Sequence, residues 1–160
     1  MRGSKLIIGF AICLALFAAG LFYTINYSYY DRSEMNEFAL STDNGELILK
    51  NVDMINSDRT PLKIRICADP IDTTGLEAVD TATPLVAPFW FKCFNAGKLS
   101  EEIAAGTLST FRIESNKPFG FDLYLAQNDA RSYFWRQLNE CGEAQFSGDP
   151  LPATCPEFKE

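Results

Sequence analysis

Residues 6–25 read LIIGFAICLALFAAGLFYTI, twenty residues without a charged side chain. At about 1.5 Å of rise per residue, a helix of that length matches the hydrocarbon thickness of a bilayer. Arg2 and Lys5 precede the run, and all 21 acidic residues follow it. This asymmetry predicts a cytoplasmic N-terminus and a translocated C-terminal bulk. Tyr23, Tyr27, Tyr29 and Tyr30 cluster where the chain should leave the membrane, a boundary that suits an apolar ring with a polar hydroxyl. Ala18-Ala19-Gly20 has the small residues of a signal-cleavage site. The apolar run nevertheless continues through Leu21, Phe22 and Ile25, longer than an ordinary signal core. The sequence thus predicts a cytoplasmic N-terminus over 1–5, a transmembrane anchor over 6–27, a polar stalk over 28–37 and an exported domain over 38–160.

The exported part is large enough to bury one core without help. Its 12 basic and 21 acidic residues leave a net charge of −9. That balance argues against nucleic acid as a partner, since nucleic-acid binding wants a basic face, and no nucleotide-binding glycine motif is present. The chain has no histidine, which excludes histidine-based triads, HExxH zinc sites and CxxCH haem attachment. No cofactor or metal motif stands out.

After the polar segment the pattern turns to strands. Short apolar stretches flank Asp43-Asn44-Gly45, a hairpin signal. Residues 63–68 (KIRICA) alternate, and residues 75–80 read as a short helix. Residues 99–105 read as a helix capped by Ser100, with Glu101 and Glu102 at its start and Gly106 as its stop. Residues 108–115 and 119–126 and the SYFWRQL segment (132–138) read as an antiparallel meander, with Asp122 on its solvent face. Residues 142–160 read as irregular and disulfide-held. The expected class is α+β: a transmembrane helix, then a mainly antiparallel sheet with one or two short helices.

Cys67, Cys93, Cys141 and Cys155 form an even set beyond the anchor, which in an oxidising compartment reads as two disulfides. Of the three pairings, Cys141–Cys155 is favoured because the Pro-rich tail otherwise lacks restraint, and this leaves Cys67–Cys93. Cys13 falls mid-helix.

Ala82-Thr83-Pro84-Leu85 leading to Trp90-Phe91-Lys92-Cys93-Phe94, together with residues 133–143 (YFWRQLNECGE), Pro152 and Cys155-Pro156, resembles an uncharacterised alphaproteobacterial family of short membrane-anchored proteins. The resemblance runs from about Leu6 to Pro156. It implies an inner-membrane protein with a periplasmic domain and supplies no activity. Family members sometimes bear a histidine-kinase label, and a histidine-free chain with about five cytoplasmic residues contradicts it. Trp90, Arg136 and Glu143 lie in the family-like segments and are the candidate interaction residues.

Three functions compete. A non-enzymatic accessory, assembly or interaction protein of a larger inner-membrane complex fits the short cytoplasmic segment and the missing catalytic groups. A ligand-binding module would use Phe89, Trp90, Phe91, Tyr133, Phe134 and Trp135 as pocket walls. A carboxylate hydrolase would pair Glu101 with Glu102, or Asp122 with Glu140, although nothing in their spacing sets two of them across a cleft.

Overall fold

The computed structural model describes residues 2–42, 45–80 and 82–156 and divides into two units, residues 1–30 and 31–160. The first is helix α1 (Arg2–Tyr23), continued by a wider π turn over Thr24–Ser28. Together they form a helix long and apolar enough to cross a membrane. Tyr23 and Tyr27 stack at 5.8 Å between ring centroids.

The second unit is a seven-stranded antiparallel sheet with two short helices, and so has the α+β class expected. Its strands are β1 (Asp31–Thr42), β2 (Gly45–Asn56), β3 (Arg65–Ala68), β4 (Glu77–Ala78), β5 (Ser109–Asn116), β6 (Phe121–Gln127) and β7 (Ser132–Leu138). Helix α2 covers Ala96–Ala104 and α3 covers Glu140–Ser147. The strand order is β1-β2-β3-β7-β6-β5-β4.

Four expectations need correction. Residues 31–37 are not a stalk, because Asp31 already pairs with Asn56 and starts β1. The segment looked like a linker because β1 is an edge strand, with polar groups such as Arg32 and Glu34 turned to solvent. Arg32 also grips Asp53 of β2 through two hydrogen bonds of 3.0 Å. Residues 75–80 form no helix: β4 adds to β5, with the Glu77 and Arg112 side chains paired. Helix α2 starts earlier than residue 99 and is capped by Asn95, whose side chain accepts from the Lys98 amide at 3.1 Å. Gly106 does end it, at φ +73. The C-terminal region is irregular only beyond α3. The hairpin turn expected at Asp43-Asn44-Gly45 has two residues outside the described set, but the Thr42–Gly45 pair closes the β1–β2 hairpin as expected.

Cross-strand partners share a face of the sheet. One face carries Met54, Ile66, Phe134 and Leu125 as neighbours across four strands. The same cluster takes in Leu40, Leu49 and Val52 of the long hairpin, and Ile71 and Leu76 of the 69–76 connection pack on it. The buried positions change parity between Met35 and Phe38 on β1 and between Leu49 and Val52 on β2. They do so around Asn51, whose φ is +50. An asparagine tolerates that left-handed conformation, and its amide donates to the Asp69 carboxylate. The opposite face carries Ile55, Arg65, Trp135 and Tyr124 in one row. Trp135 stacks on Tyr124 and meets Phe94 edge-on. The segment bearing Phe91 and Phe94 is fastened here by Cys67–Cys93, and Cys141–Cys155 holds the tail, the pairing favoured by the sequence. A thiol assay of the unreduced, denatured protein should therefore find one thiol per chain, at Cys13. A higher count would overturn the pairing.

Candidate functional site

The chemistry-bearing residues of the C-terminal half meet at the start of α3. β6 places Asp122 on the Trp135 face, where its side chain is 3 % exposed. It does not face solvent, as the alternation suggested, because that face is covered too. Its Oδ1 accepts from Asn139 Nδ2 at 2.8 Å, the Asn116 amide at 3.1 Å and Ser115 Oγ at 3.2 Å, while Arg112 Nη1 lies 3.7 Å from Oδ2. Asn139 in turn accepts from the amides of Cys141 and Gly142, so it caps α3. Asp122 therefore aims the cap that starts the helix. Gly142 seats the helix against the preceding turn: a Cβ there would lie 1.9 Å from the Gly120 carbonyl oxygen.

A cleft of about 440 Å³ opens beside this joint. Arg112, Lys117, Asp122, Gln137, Glu140 and Glu143 line it. Asp122 and Glu140 thus do face one cleft, which their spacing had not suggested. Glu140 takes a hydrogen bond from Lys117 at 2.9 Å and another from Thr154 at 3.1 Å, and these hold its carboxyl below the ordinary glutamate range. Burial works against the charge of Arg112, but Glu77 and Asp122 outweigh it and hold the guanidinium above its usual value. Both carboxylates are thus engaged in joining α3 to the β5–β6 turn. Glu140 also lies near the sulfurs of Cys141 and Cys155, but their disulfide leaves no thiolate to bind a metal.

The three candidate interaction residues do not converge. Glu143 is exposed on α3 at the mouth of this cleft. Arg136 lies on the other face of the sheet, its guanidinium 5.1 Å from the Phe121 ring centroid, in a row with Leu123 and Glu114. Burial lowers its pKa against the pull of Glu114, and its Nε has no hydrogen-bond partner among the described residues. Trp90 sits half-buried in the loop before α2, edge-on to Phe91. The six aromatic residues that a ligand-binding module would use do not line one pocket, because successive residues of β7 send Phe134 and Trp135 to opposite faces. Glu101 and Glu102 belong to α2, and Glu102 lies 3.7 Å from Lys98.

Asn139, Gly142 and Phe146 escaped the sequence reading. Asn139 ahead of Glu140 carries a capping signal. The close approach at Gly142 leaves no local signal, since it depends on Gly120 from another part of the chain. Phe146 on α3 is 86 % exposed, and Phe119 and Leu151 are exposed as well.

No curated protein and no solved structure matches the chain. A family of unknown function matches over residues 36–156, from within β1 to just past Cys155, leaving α1 outside the match. Its span takes in both disulfides, the Asp122–Asn139 joint and α3. On that match, which covers most of the sequence, the chain belongs to the family of unknown function DUF6446.

Proposed function

We propose that the protein is a non-enzymatic, membrane-anchored accessory or interaction subunit of a larger inner-membrane complex. Its N-terminus is cytoplasmic and its domain lies in the periplasm of a bacterial cell. The Arg2 and Lys5 flank of the apolar helix supports the orientation, and the two disulfides support an oxidising compartment.

Phe146 carries the reading. It projects from α3, a helix fixed at its start by Asp122, Asn139 and a disulfide. A large aromatic ring held rigidly in solvent is the kind of anchor that protein interfaces bury, and its preorganisation lowers the cost of docking. Glu143 on the same helix adds a negative group for a basic partner surface.

Tagged full-length protein, purified from its native membrane in mild detergent, should carry a stoichiometric membrane-protein partner. Phe146→Ser should leave thermal stability unchanged and cut partner recovery by about tenfold or more. Recovery of the lone chain from both variants, even after crosslinking, would remove this reading.

A further inference from the structure

The segment that carries Cys93 borders a cavity of its own. About 310 Å³ lies between the 86–94 loop and the start of α2, with Phe89, Phe91, Lys92 and Phe94 from the loop and Ala96 and Gly97 from the helix. That volume is at the lower end of ordinary small-ligand pockets. Of the six aromatic residues that a ligand-binding module would use, Phe89 and Phe91 line it, and Phe94 joins them. The frame is held from several sides. Arg65, buried at the start of β3, donates to the carbonyls of Leu85 at 2.9 Å and Val86 at 3.2 Å. Cys67–Cys93 ties the loop to β3, and Phe94 meets Trp135 edge-on at 6.1 Å between centroids. A cavity fixed in this way has little ordering left to lose when a ligand enters.

The charge of the cavity is opposite to that of the domain. Residues 82–100 carry no carboxylate, within a domain of net charge −9. Lys92 is the one charged side chain among the described residues that line the cavity. Its Nζ stands 5.9 Å from the Phe89 ring centroid and makes no ion pair among the described residues. The ammonium therefore keeps its donors for a ligand, and a carboxylate set against it meets no competing acid within the lining. The first-turn amides of Ala96 and Gly97 have no intrahelical acceptor, and Asn95 Oδ1 is taken by the Lys98 amide.

Gly97 points to the same use. Its φ is not positive, and a Cβ there would meet only Asn95 Oδ1 at 3.5 Å, so neither backbone nor packing demands a glycine. A glycine inside a helix weakens it relative to alanine. What its missing side chain provides is an open wall beside three aromatic rings, where a ligand can approach the backbone closely.

We propose that this cavity binds a small aromatic carboxylate, its ring among Phe89, Phe91 and Phe94 and its acid group beside Lys92 at the start of α2. The site lies wholly within the exported unit, and it depends neither on the anchor nor on the Phe146 surface. The test titrates phenylpropionate into full-length protein in detergent, with isotope-labelled alanine and valine methyls read by NMR. Saturable shifts should appear at the Val86, Ala87 and Ala96 methyls. Phenylpropanamide, the neutral isostere, should bind about fivefold more weakly, and Lys92→Gln should weaken the acid by about the same factor. Lys98→Gln removes an equal charge from a lysine that faces Glu102 and should leave the affinity unchanged. Gly97→Leu should unfold at no lower temperature than the unaltered protein, yet bind the acid about tenfold more weakly. Shifts at those methyls that rise without saturating show partition into the micelle alone and overturn the proposal. Equal affinity for acid and amide overturns it as well. An acetylated tetrapeptide ending in phenylalanine that binds about tenfold more tightly than phenylpropionate would assign the cavity to a protein C-terminus and overturn the small-molecule reading.

Discussion

Gly142→Ala will destabilise the exported domain by roughly 3 kcal/mol or more. The added Cβ would lie 1.9 Å from the Gly120 carbonyl oxygen, 2.8 Å from the Gly120 carbonyl carbon and 2.9 Å from Leu138 Cδ2. Two of those neighbours are backbone atoms of a turn held by the Asn139 amide, which donates to the same Gly120 carbonyl at 3.1 Å. Neither can swing aside as a flexible side chain would. The helix must instead lift, which pulls Asn139 from Asp122 and strains the chain leading to Cys141. Urea unfolding of the full-length protein in detergent reads the loss as a lowered midpoint at unchanged slope. Gly97→Ala is the control: its Cβ would meet only Asn95 Oδ1 at 3.5 Å, an ordinary contact inside α2. That change should be neutral or stabilise by up to about 1 kcal/mol. A Gly142→Ala loss within about 0.5 kcal/mol of zero would remove the close approach from the account.

Asp122→Ala should cost roughly 3 kcal/mol, because it strands the buried Asn139 side-chain amide and takes the acceptor from two half-buried donors. The Asn139 side-chain amide, the Asn116 N–H and the Ser115 hydroxyl all converge on one carboxylate oxygen. Asp122→Asn keeps an acceptor oxygen in place and loses only the charge facing Arg112, so about half that loss is expected. The effect should also be local. Hydrogen exchange at the Cys141 and Gly142 amides should accelerate in Asp122→Ala, since the Asn139 cap loses its orienting partner. Asn139→Ala combined with Asp122→Ala should cost clearly less than the sum of the two, because both remove one connected network. Additive losses would show that Asp122 and Asn139 act separately.

These two residues also mark how far local reading went at the site. Period-two alternation with Phe121, Leu123 and Leu125 gives Asp122 the polar side of a half-buried strand, and so a place toward solvent. Such alternation assumes one wet face. Here the segment carrying Phe91 and Phe94, fastened by Cys67–Cys93, covers the second face around Trp135, while Asn139 at the start of α3 and the end of β5 surround Asp122, which then needs the partners it has. Glu143 and Trp90 came from segment identity. The structure puts Glu143 beside a cleft and Trp90 on a loop elsewhere, so membership in a motif did not make them neighbours.

By itself the sequence determined what one-dimensional patterns can encode. Twenty uncharged residues behind two cations set out a helix of membrane-spanning length. An even cysteine count with a Pro-rich tail led to both disulfide pairs. The aromatic-rich run SYFWRQL at 132–138 located β7 to the residue. Each of these signals is written in consecutive residues or in composition, where hydrophobic period and length suffice. Tertiary structure alone decided that polar residues 31–37 are an edge strand, because pairing with β2 is a backbone property their side chains do not announce. It alone decided that Gly142 must be glycine, since the constraint is the Gly120 carbonyl. It also decided that Phe146 is exposed while Phe91, Phe94 and Phe134 are buried. A phenylalanine looks the same in sequence on either side of a surface, and only the packing of the elements around it sets which side it takes.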